Sequence, residues 1–297
     1  GYSKSFSTVI TAASGMVVPL IPPGVGLIIY GCINNISIGK LFIAGIGPGI
    51  VLCVTLMIFT HFLSKKRGYL PSRTTKIPVS EKIAAVRPAF LPLLLPIIII
   101  GGVRIGVFTA SEAGTVAIVY AVLLGLLYKE LTLKNVMQGC KETVTTTASI
   151  MLIVAAATCF SWILTKEQIP QQFSQWMISN IHNKYVFLIM VNIFLLIVGM
   201  FIEGNASMIV LAPLLHPVAM AYGIDDIHFA MVYIFNCTIG AFTPPMGTLM
   251  FVSCGITKCP TKDFIKEAVP FYILFAIDII VLTYIPQLTT FLVNVFY

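Results

Sequence analysis

Two consecutive prolines, Pro244 and Pro245, stand inside Ile227–Cys254, an apolar run long enough to cross a bilayer. Each proline removes a backbone donor and clashes with the preceding turn, so the run is not one continuous helix. A broken helix inside a membrane is tolerated only where the freed backbone is buried in protein or lines a cavity. The break therefore marks either a site or a costly kink. A second pair, Pro22-Pro23-Gly24, interrupts the first apolar run, Phe6–Gly31.

Composition makes these runs membrane runs. The chain is 58% hydrophobic and 10% charged, where a soluble domain carries about 25% charged residues. The expectation is an all-α polytopic membrane protein. Further spans are predicted at Leu41–Leu63, Phe90–Val103, Val107–Tyr128, Thr143–Leu164 and Ala268–Ile285. Tyr185–Phe201 and Ala206–Ala221 form two apolar legs around Glu203-Gly204-Asn205. Pro213 and Pro217 in the second leg favour a re-entrant hairpin, about 185–221, over a tidy full span. Residues 165–184 read as an amphipathic surface piece, with Ile169, Phe173, Trp176, Met177 and Ile181 at helical spacing and Trp176 suited to the interface. The net charge of +7 is not a nucleic-acid signal, because the basic residues occupy short loops. Seven cysteines are scattered without a C-x-x-C pair and read as small buried hydrophobes. The histidines His61, His182, His216 and His228 share no ligand spacing, so no metal site other than one for sodium is expected.

Lysine and arginine set the orientation. The segment 64–89 carries Lys65, Lys66, Arg67, Arg73, Lys76, Lys82 and Arg87 and is predicted to be a cytoplasmic loop. Alternation then puts Lys4, Lys129–Glu142 and Ile256–Glu267 on the same side, provided that the hairpin does not cross. Fourteen of the 18 basic residues fall there, leaving Lys40, Arg104, Lys166 and Lys184.

A shift of 222 residues lays Pro22-Pro23 on Pro244-Pro245, Lys40 on Lys262, Phe42 on Phe264, Pro48 on Pro270 and Leu52 on Leu274. By the charge count the Pro22 span runs outward and the Pro244 span inward, so the copies are inverted. Inverted repeats with matching broken helices are the pattern of secondary transporters, whose site lies between the breaks. The expected organisation is the end of a first repeat over 1–63, the loop 64–89, connecting spans over 90–142, and a second repeat over 143–297 with its broken helix at 227–254. The counterpart of the Glu203 hairpin maps before Gly1, so the chain is expected to begin inside the first copy, without an N-terminal part.

Motifs along the whole chain carry a family likeness: Gly1-Tyr2 with Phe6, Thr11-Ala12-Ala13-Ser14, Pro19-Leu20-Ile21-Pro22-Pro23, Phe108-Thr109-Ala110-Ser111-Glu112-Ala113, Gly199-Met200-Phe201, Pro213 with Pro217, Gly223-Ile224-Asp225 with His228-Phe229, and Phe242-Thr243-Pro244-Pro245-Met246-Gly247. In order and spacing the chain resembles the large membrane (permease) subunit of the tripartite ATP-independent periplasmic (TRAP) transporters, the DctM-like type that handles dicarboxylates or sialic acids. The resemblance implies a sodium-driven, elevator-type importer in the bacterial inner membrane. It also implies a periplasmic binding protein that delivers an acidic solute, a small membrane subunit, and no cofactor beyond sodium as coupling ion. The family's Pro-Pro-Ser at the first break reads Pro22-Pro23-Gly24 here, without the hydroxyl.

A sodium ion is hard and takes oxygen ligands. Unwound backbone at a proline break frees carbonyls, and half-helix C-termini carry partial negative charge. Ser14, Gly15 and Pro22 at the first break, and Thr243, Pro244 and Gly247 at the second, are the candidate donors, with Asn236 and Thr238 adding side-chain oxygens. The alternative is that Ser14, Thr238 and Thr243 only bond back to their own helices. For an anionic solute the tip Gly204–Ser207 offers backbone donors, with Asn205 as N-cap or contact and Ser207 as contact; plain capping is the alternative. Ionisable residues within apolar runs are functional candidates. Arg104 either meets the solute carboxylate, pairs with Glu112 or reaches the interface. Glu112 is expected to fix its helix start, and Glu203 to cap or gate the hairpin. Pro23 and Pro245 have structural roles, and Asp278 has no evident partner.

The functional reading is a sodium-coupled importer of a small organic anion, such as a C4-dicarboxylate or a sialic acid. An inactive remnant of such a permease is the alternative. A membrane-embedded enzyme lacks support, since Asp278 has no second catalytic group. A channel lacks the repeated charges of a selectivity ring.

Overall fold

A computed structural model describes residues 1–69 and 78–297. The centre of the predicted basic loop, with Arg73 and Lys76, lies outside the described residues. Among the described residues there are thirteen helices: α1 (Lys4–Gly15), α2 (Val25–Asn34), α3 (Ile38–Lys66), α4 (Val79–Arg104), α5 (Ala110–Leu127), α6 (Leu133–Lys166), α7 (Ile169–Asn180), α8 (Lys184–Phe201), α9 (Gly204–Ala221), α10 (Asp226–Gly240), α11 (Thr248–Thr257), α12 (Thr261–Tyr284) and α13 (Gln287–Phe296). Four of them, α3, α6, α8 and α9, are long and apolar enough to cross a membrane, and α12 with α13 makes a fifth span bent by 49°. The chain is thus an all-helical, multi-pass membrane protein. It divides into two compact units, Gly1–Leu70 with Ala157–Tyr297, and Pro71–Ala156.

In the second unit α4 packs on α5. The sequence suggested a loop as far as residue 89, yet α4 is helical from Val79, through Pro88, Pro92 and Pro96. Pro92 has no N–H to offer the carbonyl one turn back, that of Pro88. The Tyr128 hydroxyl donates to this freed Pro88 oxygen at 3.0 Å, and Tyr120 donates to Leu91 O at 2.7 Å. The hydroxyl of Tyr128, the C-cap of α5, thus stands in for one backbone donor that the prolines remove. α6 likewise starts ten residues before the predicted span, at Leu133 rather than Thr143, because nothing between them breaks a helix.

In the first unit the centre is α10, buried at every residue from Ile227 to Gly240. A helix apolar all round belongs in a core, and α10 is enclosed by α8, α9 and α3. The α8–α10 contact is close because Gly199 faces Gly240: a Cβ on Gly240 would lie 2.6 Å from Gly199 Cα. The second hairpin leg, α9, is one helix of 18 residues through Pro213 and Pro217. At 1.5 Å per residue it is about 27 Å long. The prolines therefore do not shorten it as the sequence suggested. The amphipathic segment forms α7, which packs on α9 with Met177 buried and Trp176 exposed.

Both proline pairs break their helices as expected, α1 from α2 and α10 from α11. The two broken helices run antiparallel. Thr8 donates to Thr257 at 3.0 Å and Lys4 to Lys258 O at 3.2 Å. At the other end of α1, the Gly15 position lies 3.6 Å from the Leu249 side chain. Beyond the breaks the register is not 222. An offset of 223 relates Val25 to Thr248, the left-handed caps Asn35 and Lys258, and the helix starts Ile38 and Thr261. It also superposes buried stripes, Leu41 on Phe264, Gly45 on Ala268, Pro48 on Phe271 and Leu52 on Phe275. Met246 is the extra residue, since Gly24 directly follows its prolines and Gly247 does not. The matches of Lys40, Phe42, Pro48 and Leu52 at offset 222 are therefore one residue out of structural register.

Candidate functional site

The second break begins where α10 runs out at Gly240 and ends at Gly247, which N-caps α11 without a side-chain bond. The Thr243 and Ala241 carbonyl oxygens converge there, 2.7 and 2.8 Å from the point a Cβ on Gly247 would occupy. Only glycine leaves room for them. The break is tied to the hairpin tip by Met246 N–H donating to Met200 O at 3.1 Å, and Gly204 lies over Cys237, its Cβ position 3.5 Å from the Cys237 Cβ. The bonds Pro244–Pro245 and Pro22–Pro23 are both cis.

One turn before this break sits Asn236, 1% exposed. Its amide N–H groups donate to Asn192 Oδ1 and Val232 O, both at 2.8 Å. Asn192 in turn donates to Thr283 Oγ1 at 2.9 Å. These bonds use every donor of the Asn236 amide, and its Oδ1 is buried with no hydrogen-bond partner among the described residues. A buried acceptor without a donor is uncommon, because it forfeits hydration without compensation.

The candidate hydroxyls take the structural alternative as donors. Thr238 donates to Ile234 O, Thr243 to Ile239 O, and Ser14 to Ile10 O, each at 2.8 Å. Their oxygen lone pairs are not consumed by these bonds. Ser14 is exposed and borders a cavity of about 610 Å³ together with Tyr2, Ile10, Cys53, Thr60 and His61. Gly15 closes α1 beside the start of α11, near the second break. Leu20 and Ile21, just before Pro22 and Pro23, lie against α3, whose Gly45 and Gly49 admit them: Cβ atoms there would stand 2.2 Å from Leu20 O and 2.6 Å from an Ile21 side-chain carbon.

The anion candidates are arranged differently from the expectation. The N-cap of α9 is Glu203, not Asn205: its Oε2 accepts from Ala206 N at 3.0 Å and its Oε1 from Asn205 Nδ2 at 2.9 Å. Ser207 is 1% exposed and turned into the α9–α10 contact, 3.3 Å from the Tyr233 hydroxyl. In the other unit Arg104 is exposed at the end of α4, while Glu112 closes a capping box on α5, accepting from Thr109 N at 2.7 Å. Thus Thr243, Pro244 and Gly247 stand at the second break, tied to the hairpin tip through Met246 and Met200; Asn236 and Thr238 precede it on different faces of α10, and Gly15 meets Leu249 of α11.

Further expectations change. His228 is buried, with Thr289 Oγ1 at 2.9 Å and Thr283 O at 3.1 Å. His216 meets the Tyr30 hydroxyl at 3.1 Å. Asp278 has a partner, Thr55, which donates at 2.9 Å. Cys32, Cys140 and Cys159 are exposed rather than buried. Among the described residues no group of three or more His, Cys, Asp or Glu side chains gathers to hold a metal. Sequence reasoning missed Asn192. The signal was present, as an uncharged polar residue alone in the apolar run 185–201.

A family model described as the DctM component of the tripartite ATP-independent periplasmic transporters matches residues 1–288. The chain is 40% identical over 296 residues to the sialic acid TRAP transporter large permease protein SiaM of Vibrio cholerae, covering 99% of this chain and 69% of the relative. It is 36% identical over 295 residues to the C4-dicarboxylate TRAP transporter large permease protein DctM of Pseudomonas aeruginosa, with the same coverage of 99% and 69%. It is 33% identical over 292 residues to the isethionate TRAP transporter permease protein DctMQ of Oleidesulfovibrio alaskensis, covering 98% of this chain and 46% of that protein.

Proposed function

The chain belongs to the DctM component family of the tripartite ATP-independent periplasmic transporters, and from that premise we propose that it couples sodium entry to import of a small organic anion. It is a multi-pass membrane subunit of a TRAP transporter and not an enzyme. On our reading it works in the bacterial inner membrane with a small membrane subunit and a periplasmic protein that hands over the solute. Relatives named for sialic acid and C4-dicarboxylate support a carboxylate solute.

The observation that carries the sodium reading is the orphaned Asn236 Oδ1 beside the second break. A sodium ion needs several oxygen ligands and no proton. An amide oxygen whose N–H groups are already committed, five residues before the first of the carbonyls converging on Gly247, suits that need. Thr238 and Thr243, whose oxygen lone pairs are not consumed, and the backbone of Ser14, Gly15, Pro22 and Pro244 are further candidate ligands. For the anion, the Glu203 carboxylate already occupies the positive end of α9, so a second anion there meets like charge. The glycine-capped starts of α2 and α11, which carry no side-chain cap, suit a carboxylate better than Asn205 or Ser207.

We read α1–α3 and α10–α12 as two inverted copies that move together in an elevator step. Their antiparallel contact and their common 223-residue register support this reading. The test is uptake by the full-length protein in proteoliposomes with its small subunit and binding protein. Uptake that requires an inward sodium gradient and the binding protein is expected; uptake indifferent to sodium rejects the proposal.

A further inference from the structure

The turn between α11 and α12 brings two thiols together. Lys258 is left-handed there (φ 51°), and Cys259 N–H donates across it to Cys254 O at 3.1 Å. This is the six-residue bond of a Schellman motif, which sets the side chains at its two ends, here residues 254 and 259, against each other. The corresponding turn after α2 has the same bond, Ile36 N–H to Gly31 O at 2.9 Å, but no thiols. Cys254 is 7% and Cys259 6% exposed, and the Cys259 thiol donates to Pro260 O at 3.6 Å. A direct backbone bond between two residues holds their Cα atoms at a separation a disulfide bridges. All seven cysteines are reduced in the structure.

We propose that Cys254 and Cys259 form a dithiol modification site that a peroxide closes to a disulfide. One thiol attacks the peroxide, its sulfur is oxidised to a sulfenic acid, and water leaves. The second thiol then attacks that sulfur, the S–S bond forms and a second water leaves. In sum two thiols give up two hydrogens and hydrogen peroxide becomes two waters. Peroxide is small enough to reach thiols of such limited exposure. Cys237, which is more deeply buried and in contact with Ser207, lacks a thiol neighbour of this kind. The ring that closes staples the end of α11 to the start of α12, the end at which α11 lies against α1.

The site is tested without any transport measurement. The full-length protein in membranes is treated with hydrogen peroxide, its remaining thiols are alkylated in denaturant, and it is digested with trypsin and chymotrypsin. Cleavage after Phe251, Lys258 and Lys262 separates Val252–Lys258 from the tetrapeptide Cys259–Lys262. The expected result is loss of the alkylated tetrapeptide, its recovery linked to Val252–Lys258, and its release by reductant. In the Cys254→Ser and Cys254→Ala variants the link is lost. Release of the alkylated tetrapeptide without reductant overturns the proposal. So does a sulfinic acid on Cys259, or a link from Cys259 to any other cysteine.

Discussion

At Asn236 the two ends of one amide are treated differently. The N–H groups are held by Asn192 and Val232, and the oxygen is left open. Asn192, itself held by Thr283, therefore positions Asn236 rather than offering a ligand. Replacing Asn236 by Leu keeps the volume but removes the open oxygen and strips Asn192 Oδ1 of its donor. Leaving that acceptor unsatisfied costs about 1–3 kcal/mol. The expected outcome is a lower melting temperature together with a sodium half-saturation raised by at least about tenfold, or 1.4 kcal/mol of binding. Unchanged sodium activation in a folded variant removes Asn236 from the site. Asp278 makes a second case. Thr55→Val takes away the hydroxyl that donates to it. A hydrogen bond to a charged group contributes about 1.5–3 kcal/mol. Thermal unfolding in detergent should show a loss of that order, and wild-type stability would mean that the pair contributes nothing.

The elements depend on where glycine stands. α8 and α10 approach through Gly199 and Gly240, and a methyl on Gly240 has no space beside the Gly199 backbone. By contrast nothing lies within 4 Å of a Cβ on Gly139 in α6. Gly240→Ala is expected to destabilise by about 1–3 kcal/mol through overpacking. Gly139→Ala is expected to stabilise by up to about 1 kcal/mol through helix propensity. Thermal melts of the two variants side by side measure the contrast, and equal shifts would contradict the close packing of α8 on α10. Gly247→Ala acts on the break itself, forcing the Thr243 and Ala241 carbonyls apart. Its expected signature is loss of sodium activation in a protein that still folds and reaches the membrane.

The unit Gly1–Leu70 with Ala157–Tyr297 rests on two broken helices laid side by side in opposite directions. Thr8 and Thr257, 249 positions apart, meet through their hydroxyls at 3.0 Å. A Thr8→Cys, Thr257→Cys double variant, with Cys254 and Cys259 replaced by Ala, should form an intramolecular disulfide in membranes under mild oxidation. Either single variant should not. Failure of the double variant to cross-link would refute the antiparallel contact. Where the cross-link forms, transport should stop only if the two copies slide on each other, since a bridge within one moving body leaves the elevator step free.

The sequence by itself determined the helical membrane class and both breaks. Apolar content and proline chemistry act within a few residues of chain, so local pattern suffices to read them. It also showed Glu112 as a helix-start residue, because a capping box is local. What it left open required residues far apart in the chain. The Asn192–Asn236 bond, Thr55 against Asp278, Ser207 turned toward Tyr233 and His228 closed in by Thr283 and Thr289 all join different helices. No spacing rule reports such pairs, since they are fixed by which faces meet. The one-residue change of register after the breaks is of the same kind. Matching letters aligned the chain at 222, and only the packed stripes of α3 and α12 gave 223 and marked Met246 as the extra residue. The sequence located the breaks, and tertiary packing decided which oxygen beside the second was left unpaired.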